Sequence, residues 1–231
     1  MLRTIGAIFS AAFVAGFILA LSAVVSVVAN RLINPTHTPL MVMRAAQRND
    51  AYPARWQWRP LSRISPHLIR AVIASEDSRF CTHNGFDWEA IRKVLEQLEE
   101  KGESSRGAST ISMQTAKNVY LTQHRSYIRK GLEAGFTVLM EALWSKRRIM
   151  EAYLNVAEWG PGVYGAEAAA RTYFNRSAAR LTPDQAALLA STLPGPLFWR
   201  PNRPTRRIAR KSRIIRKRMR AVKLGKDGVC S

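Results

Sequence analysis

The feature that most constrains this chain is a long uncharged stretch close to its start. Residues 4–30, TIGAIFSAAFVAGFILALSAVVSVVAN, contain no charged side chain. About 20 apolar residues are enough to cross a bilayer as a helix, whereas the apolar region of a signal peptide has about 7–15 residues. The sequence therefore predicts one transmembrane helix within residues 1–31. A signal peptide cleaved near Val27 to Ala29 and a buried core helix are the alternatives.

The charges beside this stretch carry little information about orientation. Arg3 lies before it and Arg31 lies just after it, a difference too small for the positive-inside rule to decide. A long following domain is translocated largely regardless of its charge. We expect a short cytoplasmic N-terminus and an external domain, partly on the resemblance described below.

The rest of the chain is strongly basic and long enough to bury the core of one sizeable domain. The 231 residues include 36 Lys and Arg against 16 Asp and Glu, a formal net charge of +20. Such a charge predicts an anionic partner: nucleic acid, anionic lipid or a phosphorylated substrate. Twelve cations lie within residues 200–223, which contain no acid. This basic segment is typical of a surface that meets anionic lipid, at about 1 kcal/mol per cation.

Two cysteines, Cys81 and Cys230, are too few for a disulfide framework. Cys230 stands next to the end of the sequence, where order is usually poor. The sequence therefore predicts two free thiols, with a single bridge as the alternative. No Cys/His cluster has zinc-binding spacing.

Residues 34–66 contain five prolines among mixed apolar and basic residues. They predict an irregular connector that lies close to the membrane. Its ARWQWRP stretch alternates aromatic and basic residues, which suits a bilayer interface. A strand, or a hydrophobic anchor onto the domain, is an equally weighted alternative.

From residue 66 onward the pattern is helical. Asp87 and Thr182 are good N-cap residues, Pro183 suits a first helical position, and Gly102 suits a C-cap. One apolar stripe of a further predicted helix contains five residues: Ile128, Leu132, Phe136, Leu139 and Leu143. No alternating strand pattern is long enough to predict a sheet.

The sequence thus predicts an all-α protein with one transmembrane helix. The predicted parts are the N-terminus and transmembrane helix (1–31), the connector (32–60), one globular domain with a basic C-terminal helix (61–223) and a short tail (224–231).

A carboxylate pair stands beside a tight turn in SEDSRFCTHNGFDWEAI. Glu76 ends a predicted helix and faces the loop that follows it. A carboxylate in a cleft is a usable general base. A plain surface acid pair is the alternative for Glu76 and Asp77.

A second motif, RKGLE, places Arg129 and Glu133 on one helix face, with Lys130 beside the glutamate. Lys117 and Arg125 precede it, and the loop RGAST leads into a helix N-terminus, which can bind phosphate. These four basic residues predict a diphosphate clamp, with an ordinary solvated ion pair as the alternative. The nucleotide-binding GxxxxGK[ST] loop is absent from the sequence.

Four motifs in this order resemble the signatures of the peptidoglycan glycosyltransferases (glycosyltransferase family 51). They are EDSRFCTHNGFD, RGASTISMQTAKN, RKGLE and KRRIMEAYLN. The following VAEWGPGVYGAEAAARTYF is similar to the monofunctional members, and the sequence ends where two-domain relatives would continue into a penicillin-binding domain. The resemblance covers most of the chain after residue 61.

The resemblance implies a lysozyme-like helical fold and inverting transfer of disaccharide-pentapeptide units from a polyprenyl diphosphate, known as lipid II. It implies that Glu76 is the general base for the acceptor hydroxyl. Glu133 matches a second glutamate that holds the donor diphosphate directly or through a metal. The remaining matched positions contact phosphates or surround the site. They are Asp77, Ser109, Thr110, Gln114, Lys117, Arg125, Arg129 and Lys130.

The leaving group fits this chemistry, because a diphosphate is already a stable anion and needs cations more than a proton. A hydrolase would need an acid for its alkoxide leaving group. No cofactor is required by the sequence, although Mg²⁺ or Mn²⁺ at Glu133 is an alternative. A lytic enzyme that cleaves the same glycan and a basic module that binds anionic ligands are the other functional hypotheses.

The sequence departs from the family at Met113, where glutamine is common. Either a contact to the donor is lost or Met113 is a packing residue. His83 is predicted to hydrogen-bond within its loop and not to bind a metal.

The implied location is the bacterial inner membrane, with a single span and a periplasmic catalytic domain. The implied partners are the lipid-linked precursor, the growing glycan chain and anionic lipids. Cell-division or elongation proteins are candidate partners, and nucleic acid is not expected.

Overall fold

The computed structural model describes residues 2–48, 55–101, 107–124 and 126–230. Over these residues the protein is mostly helical, which confirms the predicted fold class. Two predicted features fall outside this part of the chain: the C-cap Gly102 and the cation Arg125.

The first helix, α1 (Leu2–Leu32), contains a stretch from Ser10 to Leu32 that is long and apolar enough to span a membrane. Its final turns are part of the domain. Val27 is fully buried, and its carbonyl accepts a hydrogen bond from Trp144 Nε1 at 2.8 Å. Arg148 donates to the Asn30 carbonyl at 2.7 Å from Nη2 and 3.1 Å from Nε. The guanidinium therefore satisfies a carbonyl at the helix end, where the backbone lacks intrahelical partners.

The connector is not irregular throughout, and this corrects the prediction. It contains a helix, α2 (Pro39–Arg48), that buries Leu40 and Met41 against Tyr164. Thr38 caps α2, since its hydroxyl accepts from the Met41 N–H at 3.3 Å. Burial of one apolar face outweighs the proline-rich composition here, because Pro39 stands where a helix tolerates proline.

A small sheet begins within the connector, where a strand in the ARWQWRP stretch was one of the interpretations, and its other two strands were not predicted. It comprises β1 (Arg55–Trp56), β2 (Glu158–Gly160) and β3 (Val163–Tyr164), in the order β1-β3-β2, with β1 parallel and β2 antiparallel to β3. Trp56 Nε1 donates to the Asn155 carbonyl at 2.8 Å. The ARWQWRP stretch thus anchors the connector onto the domain. Strands this short carry no recognisable alternation.

Five helices follow in order and carry the motifs. They are α3 (Pro66–Glu76), α4 (Trp88–Lys101), α5 (Ile111–Tyr120), α6 (Tyr127–Leu143) and α7 (Lys146–Val156). The predicted N-cap Asp87 is confirmed, because its carboxylate accepts from the Ala90 N–H at 3.0 Å. The predicted stripe of α6 is only partly covered, since Ile128 is 80% exposed and Leu132 is 52% exposed.

Three more helices complete the domain: α8 (Gly165–Phe174), α9 (Pro183–Thr192) and α10 (Arg206–Arg218). Thr182 and Gln185 form a reciprocal capping box on α9, with Pro183 at its first position, as predicted. The helix α9 packs on both α3 and α10, and α5 packs on α6 and α7. The helix α3, whose last residue is Glu76, is therefore held against α9.

Cys81 and Cys230 form a disulfide, so the prediction of two free thiols is wrong. The chain after α10 turns back and places fully buried Val229 against the core. Asp227 orders this turn by accepting from the N–H groups of Val229 and Cys230 at 2.8 and 3.0 Å. Tertiary packing thus orders a segment that its position in the sequence suggested would be loose.

Candidate active site

Glu76 occupies the last turn of α3, where the chain leaves the core and enters a loop. Ser65 caps the other end of this helix, and six apolar residues of α3 are buried. The Glu76 Oε1 atom accepts from the Ser75 hydroxyl at 3.0 Å, and Oε2 accepts from Gln114 Nε2 at 3.3 Å. Both carboxylate oxygens act as hydrogen-bond acceptors in this arrangement.

Tyr153 of α7 fixes the orientation of the Gln114 side chain. The Tyr153 hydroxyl donates to Gln114 Oε1 at 3.2 Å, which turns the amide nitrogen toward Glu76 and the Ser109 carbonyl. Tyr153 is almost completely buried. Burial raises the pKa of Tyr153 well above its usual value, and the charges of Glu76 and Asp77 raise it further. The hydroxyl therefore remains a proton donor to Gln114 at any ordinary pH.

Asp77 supports the loop from inside. Its carboxylate lies 3.0 Å from His83 Nε2 and accepts from the Ile111 N–H, the first of α5, at 3.0 Å. The Gly85 N–H donates to His83 Nδ1 at 3.1 Å, so Nε2 carries the proton that His83 shares with Asp77. This confirms His83 as a hydrogen-bonding loop residue. The contribution of Asp77 to substrate binding stays a prediction.

Thr110 is the N-cap of α5. Its hydroxyl accepts from the Met113 N–H at 3.1 Å and donates to the Gly85 carbonyl at 2.6 Å. Thr110 is almost wholly buried. The loop residues 107–110, including Ser109, form a rim of the cavity that contains Glu76.

A second charged cluster lies on α6. Glu133 is 2% exposed. Its carboxylate oxygens accept hydrogen bonds from Arg129 Nη1 and Lys130 Nζ, each at 2.5 Å. The predicted pairing of these three residues is confirmed. Arg129 Nε is buried without a hydrogen-bond partner among the described residues. Because the cluster has two cations and one carboxylate, it has a net positive charge that can face an anion.

The two residues of the hydrogen-bonded Glu76–Gln114 pair line two different cavities. The larger, about 810 Å³, is lined by Glu76, the 107–110 loop and residues of the C-terminal segment. The smaller, about 390 Å³, is lined by Gln114, Lys117, Tyr153 and residues 193–198. Glu133, Arg129 and Lys130 line neither of these two cavities.

Comparison with known sequences identifies the family of this chain. A profile described as Transglycosylase matches residues 43–220. The chain belongs to the transglycosylase family. This family has a lysozyme-like helical domain, and the chain is a glycosyl-transferring enzyme.

Three relatives illustrate how much of the transglycosylase chain is shared, and each is called a biosynthetic peptidoglycan transglycosylase. The protein of Rhodospirillum centenum is 51% identical over 221 residues, covering 96% of this chain and 93% of the relative. That of Caulobacter vibrioides is 52% identical over 206 residues, covering 89% and 87%. That of Dechloromonas aromatica is 51% identical over 192 residues, covering 82% and 83%.

Met113 of this transglycosylase is a packing residue, which is one of the two interpretations of the departure from the family motif. It is 6% exposed in the first turn of α5. Gln114, the next residue, carries the contact to Glu76. The polar support of Glu76 therefore passes through Gln114 and Tyr153.

The charged residues do not fit a divalent metal site as they stand. The described part of the chain contains no group of three or more His, Cys, Asp or Glu side chains that could hold a metal ion. Glu133, the predicted ligand, has both oxygens in ion pairs with Arg129 and Lys130. Divalent metals such as Mg²⁺ prefer several free oxygen ligands. The oxygens of Glu133 are therefore already occupied by ion pairs with its two cations.

Four residues near the site could not be assigned to it from the sequence. Tyr153 lies within the fourth motif, but only the fold shows that it reaches Gln114. Lys211 of α10 is half-buried near Glu76. Burial lowers the pKa of Lys211, the charge of Glu76 opposes this effect, and Arg207 reinforces it. Arg218 and Lys223 line the larger cavity with Glu76. From charge alone, Lys211, Arg218 and Lys223 are predicted to lie on a surface that faces anionic lipid.

Proposed function

We propose that the enzyme polymerises peptidoglycan glycan strands. It transfers disaccharide-pentapeptide units from a polyprenyl-diphosphate donor, lipid II, with inversion at the anomeric carbon. The observation that carries this proposal is Glu76, which is held by Ser75 and Gln114 and lines one cavity that contains cations, while Gln114 lines a second such cavity. The names of the relatives support the peptidoglycan substrate.

In the proposed reaction, Glu76 accepts the proton of the acceptor sugar hydroxyl as its oxygen attacks the anomeric carbon of the donor. The carbon–oxygen bond to the diphosphate breaks, and the diphosphate departs with the electron pair. One carboxylate is sufficient, because a diphosphate needs neutralisation of charge and not a proton. A glycosidase requires a second carboxyl group as acid.

The donor diphosphate is assigned to the cations of α5 and α6. Lys117 lines the smaller cavity beside Gln114. Arg129 and Lys130 are fixed by Glu133, which orders their side chains in advance of binding. Arg125 belongs to the same predicted clamp and lies outside the described residues. Cations ordered in advance bind a diphosphate at lower entropic cost.

The enzyme is proposed to lie in the bacterial inner membrane with its catalytic domain in the periplasm. One apolar helix of suitable length and the Cys81–Cys230 disulfide support this location, because disulfides persist in oxidising compartments. Anionic lipids and the growing glycan are the proposed partners, with cell-division or elongation proteins as further candidates. Protease added to spheroplasts should digest the domain, and its protection there would contradict this orientation.

The decisive experiment compares the detergent-purified full chain with a Glu76→Gln variant on the lipid-linked disaccharide-pentapeptide precursor. We expect polymer from the parent and a loss of about 10²–10⁴-fold in the variant, the range for removal of a general base. Folding of the variant is checked by its thermal unfolding. Full polymer synthesis by a folded variant would overturn the role of Glu76. Digestion of purified cell wall without polymer synthesis would favour the lytic hypothesis.

A further inference from the structure

The larger cavity has one wall built from the last part of the chain. Arg218, at the end of α10, and residues 221–223 line it opposite the end of α3. The Val222 carbonyl accepts from Arg70 Nε at 3.2 Å, which ties this wall to α3. The wall therefore has a defined position relative to Glu76.

The disulfide fixes the same wall at a second point. Cys81 lines the cavity five residues after Glu76 and is bonded to Cys230. Arg147 of α7 also donates to the Asp227 carbonyl within the segment. The C-terminal segment is thus fastened on both sides of Lys223.

The cations of this wall are not used within the protein. Among the described residues, the side chains of Arg218 and Lys223 have no hydrogen-bond or ion-pair partner, whereas Arg79, the third cation of the cavity, pairs with Asp87 and Glu89. Asp87 also caps α4. The cavity therefore presents Glu76 together with two unpaired positive charges.

A polymerase of this kind needs two anion sites. Both of its substrates are linked to lipid through a diphosphate, and both carry carboxylates on their stem peptides. Lys117 serves the smaller cavity on one side of the Glu76–Gln114 pair, and Arg218 and Lys223 serve the larger cavity on the other. An enzyme that only hydrolysed the glycan would have no use for the second set of cations.

We propose that Arg218 and Lys223 form an anion-binding subsite for the acceptor, the substrate whose hydroxyl Glu76 deprotonates. This inference rests on the proposed function. The ligand is a carboxylate of the stem peptide or the phosphates of the lipid carrier. The Cys81–Cys230 disulfide holds the subsite in place.

The test measures KM and kcat for the lipid-linked precursor with Arg218→Gln/Lys223→Gln in the full chain. The matched control is Arg213→Gln/Lys217→Gln, which removes one Arg and one Lys from exposed positions of α10 outside the cavity. We expect KM to rise about tenfold in the cavity variant, since charge-assisted hydrogen bonds are lost. The control should keep the parental KM.

A precursor with amidated stem-peptide carboxylates separates the two ligand sources. If the stem peptide is the ligand, the parent and the cavity variant will have equal KM values for the amidated precursor. If the diphosphate is the ligand, the tenfold difference will persist. Either result supports the subsite. A cavity variant with the KM of its control on the native precursor would overturn it.

The disulfide provides a second test of the subsite. A folded Cys81→Ser/Cys230→Ser protein should show a raised KM, and adding Arg218→Gln/Lys223→Gln to it should raise KM less than in the parent. An unchanged KM in the serine variant would overturn the role given to the disulfide. Absence of polymer from the parent would overturn the proposed function and the subsite together, whereas polymer with an unchanged KM overturns the subsite alone.

Discussion

At the scale of single residues, the candidate base depends on a relay of two hydrogen bonds. Tyr153 orients Gln114, and Gln114 orients Glu76, so a side chain in the core determines the geometry at the cavity. Such a chain is sensitive to the loss of any member, because the amide of Gln114 can rotate when its oxygen has no donor.

Tyr153→Phe tests this relay. It removes only the hydroxyl and keeps the ring that packs in the core. We expect kcat to fall about tenfold with a smaller change in KM, and the free energy of unfolding to fall by about 1 kcal/mol, the typical net contribution of one hydrogen bond. Polymerisation kinetics and denaturant unfolding provide the two measurements.

The control is Tyr120→Phe. The Tyr120 hydroxyl accepts from Asn30 at 3.4 Å at the end of α1, away from the hydrogen bonds that hold Glu76. Burial raises the pKa of Tyr120 to about 12, so its hydroxyl is also neutral. We expect this variant to keep the parental kcat. Parental kcat in Tyr153→Phe would show that Gln114 needs no orienting partner.

At the scale of elements, α8 is placed by two features at its start. Gly165 begins the helix with φ at +79°, and an added Cβ would lie 2.7 Å from the Asn155 carbonyl oxygen. Glu167, in the first turn, is 2% exposed and accepts from the Ala178 N–H at 2.8 Å and from Arg171 Nε at 2.9 Å. Together they join the sheet, α8 and the turn before α9.

Gly165→Ala is expected to lower the free energy of unfolding by about 2 kcal/mol or more, because it combines backbone strain with a steric clash. Gly135→Ala is the matched control in the interior of α6, where the new Cβ meets no described atom within 4 Å. That change should raise stability by about 0.5–1 kcal/mol through helix propensity. Equal effects of the two changes would contradict the close approach of the Asn155 carbonyl to Gly165.

Glu167→Gln gives a pH-dependent effect. Burial alone would raise the pKa of Glu167, but the N–H of Ala178 and the side chains of Arg171 and Arg59 outweigh it and lower this pKa below 4.5. A lowered carboxyl pKa contributes stability above the unfolded pKa and loses it as pH falls through the folded pKa. Chemical unfolding at pH 7 should therefore show a loss of about 2 kcal/mol in the variant. The difference should shrink below pH 4.5, and a difference independent of pH would contradict this account.

At the scale of the whole molecule, the apolar helix and the domain form one continuous unit. The last turns of α1 pack on α6, and Arg148 reaches the Asn30 and Ile33 carbonyls while it pairs with Glu151 at 2.9 Å. The orientation of the domain relative to α1 is therefore fixed by these contacts. This arrangement suits an enzyme whose proposed substrates are held in the bilayer.

Arg148→Ala should loosen this junction. We expect the Tm of the detergent-solubilised protein to fall by about 5 °C, from about 2 kcal/mol of lost charge-assisted hydrogen bonding. Arg148→Lys should recover only part of the loss, because one ammonium cannot reproduce the fork of the guanidinium. Full recovery by lysine would show that charge alone holds the junction.

Local sequence was sufficient for much of this protein. The uncharged N-terminal stretch predicted a helix long enough to span a membrane, and Asp87, Thr182 and Pro183 marked helix starts, because an apolar run and a cap act over a few residues. The first and third motifs identified Glu76 and the Arg129–Lys130–Glu133 cluster. A resemblance to known motifs supplied their proposed roles. Composition failed for α2, whose structure is decided by burial against Tyr164, and for β2 and β3, which are too short to show an alternation.

Only the tertiary structure decided which distant residues meet. Cys81 and Cys230 are separated by 149 residues, and their pairing depends on the return of the chain after α10. The packing of the same segment places Arg218 and Lys223, two members of the basic segment, in a wall of the Glu76 cavity. Charge and residue type are local properties, whereas a contact across the whole domain depends on how every intervening helix packs. For that reason the sequence alone determined most of the helices and identified Glu76 as the candidate base, and the fold determined which residues surround it.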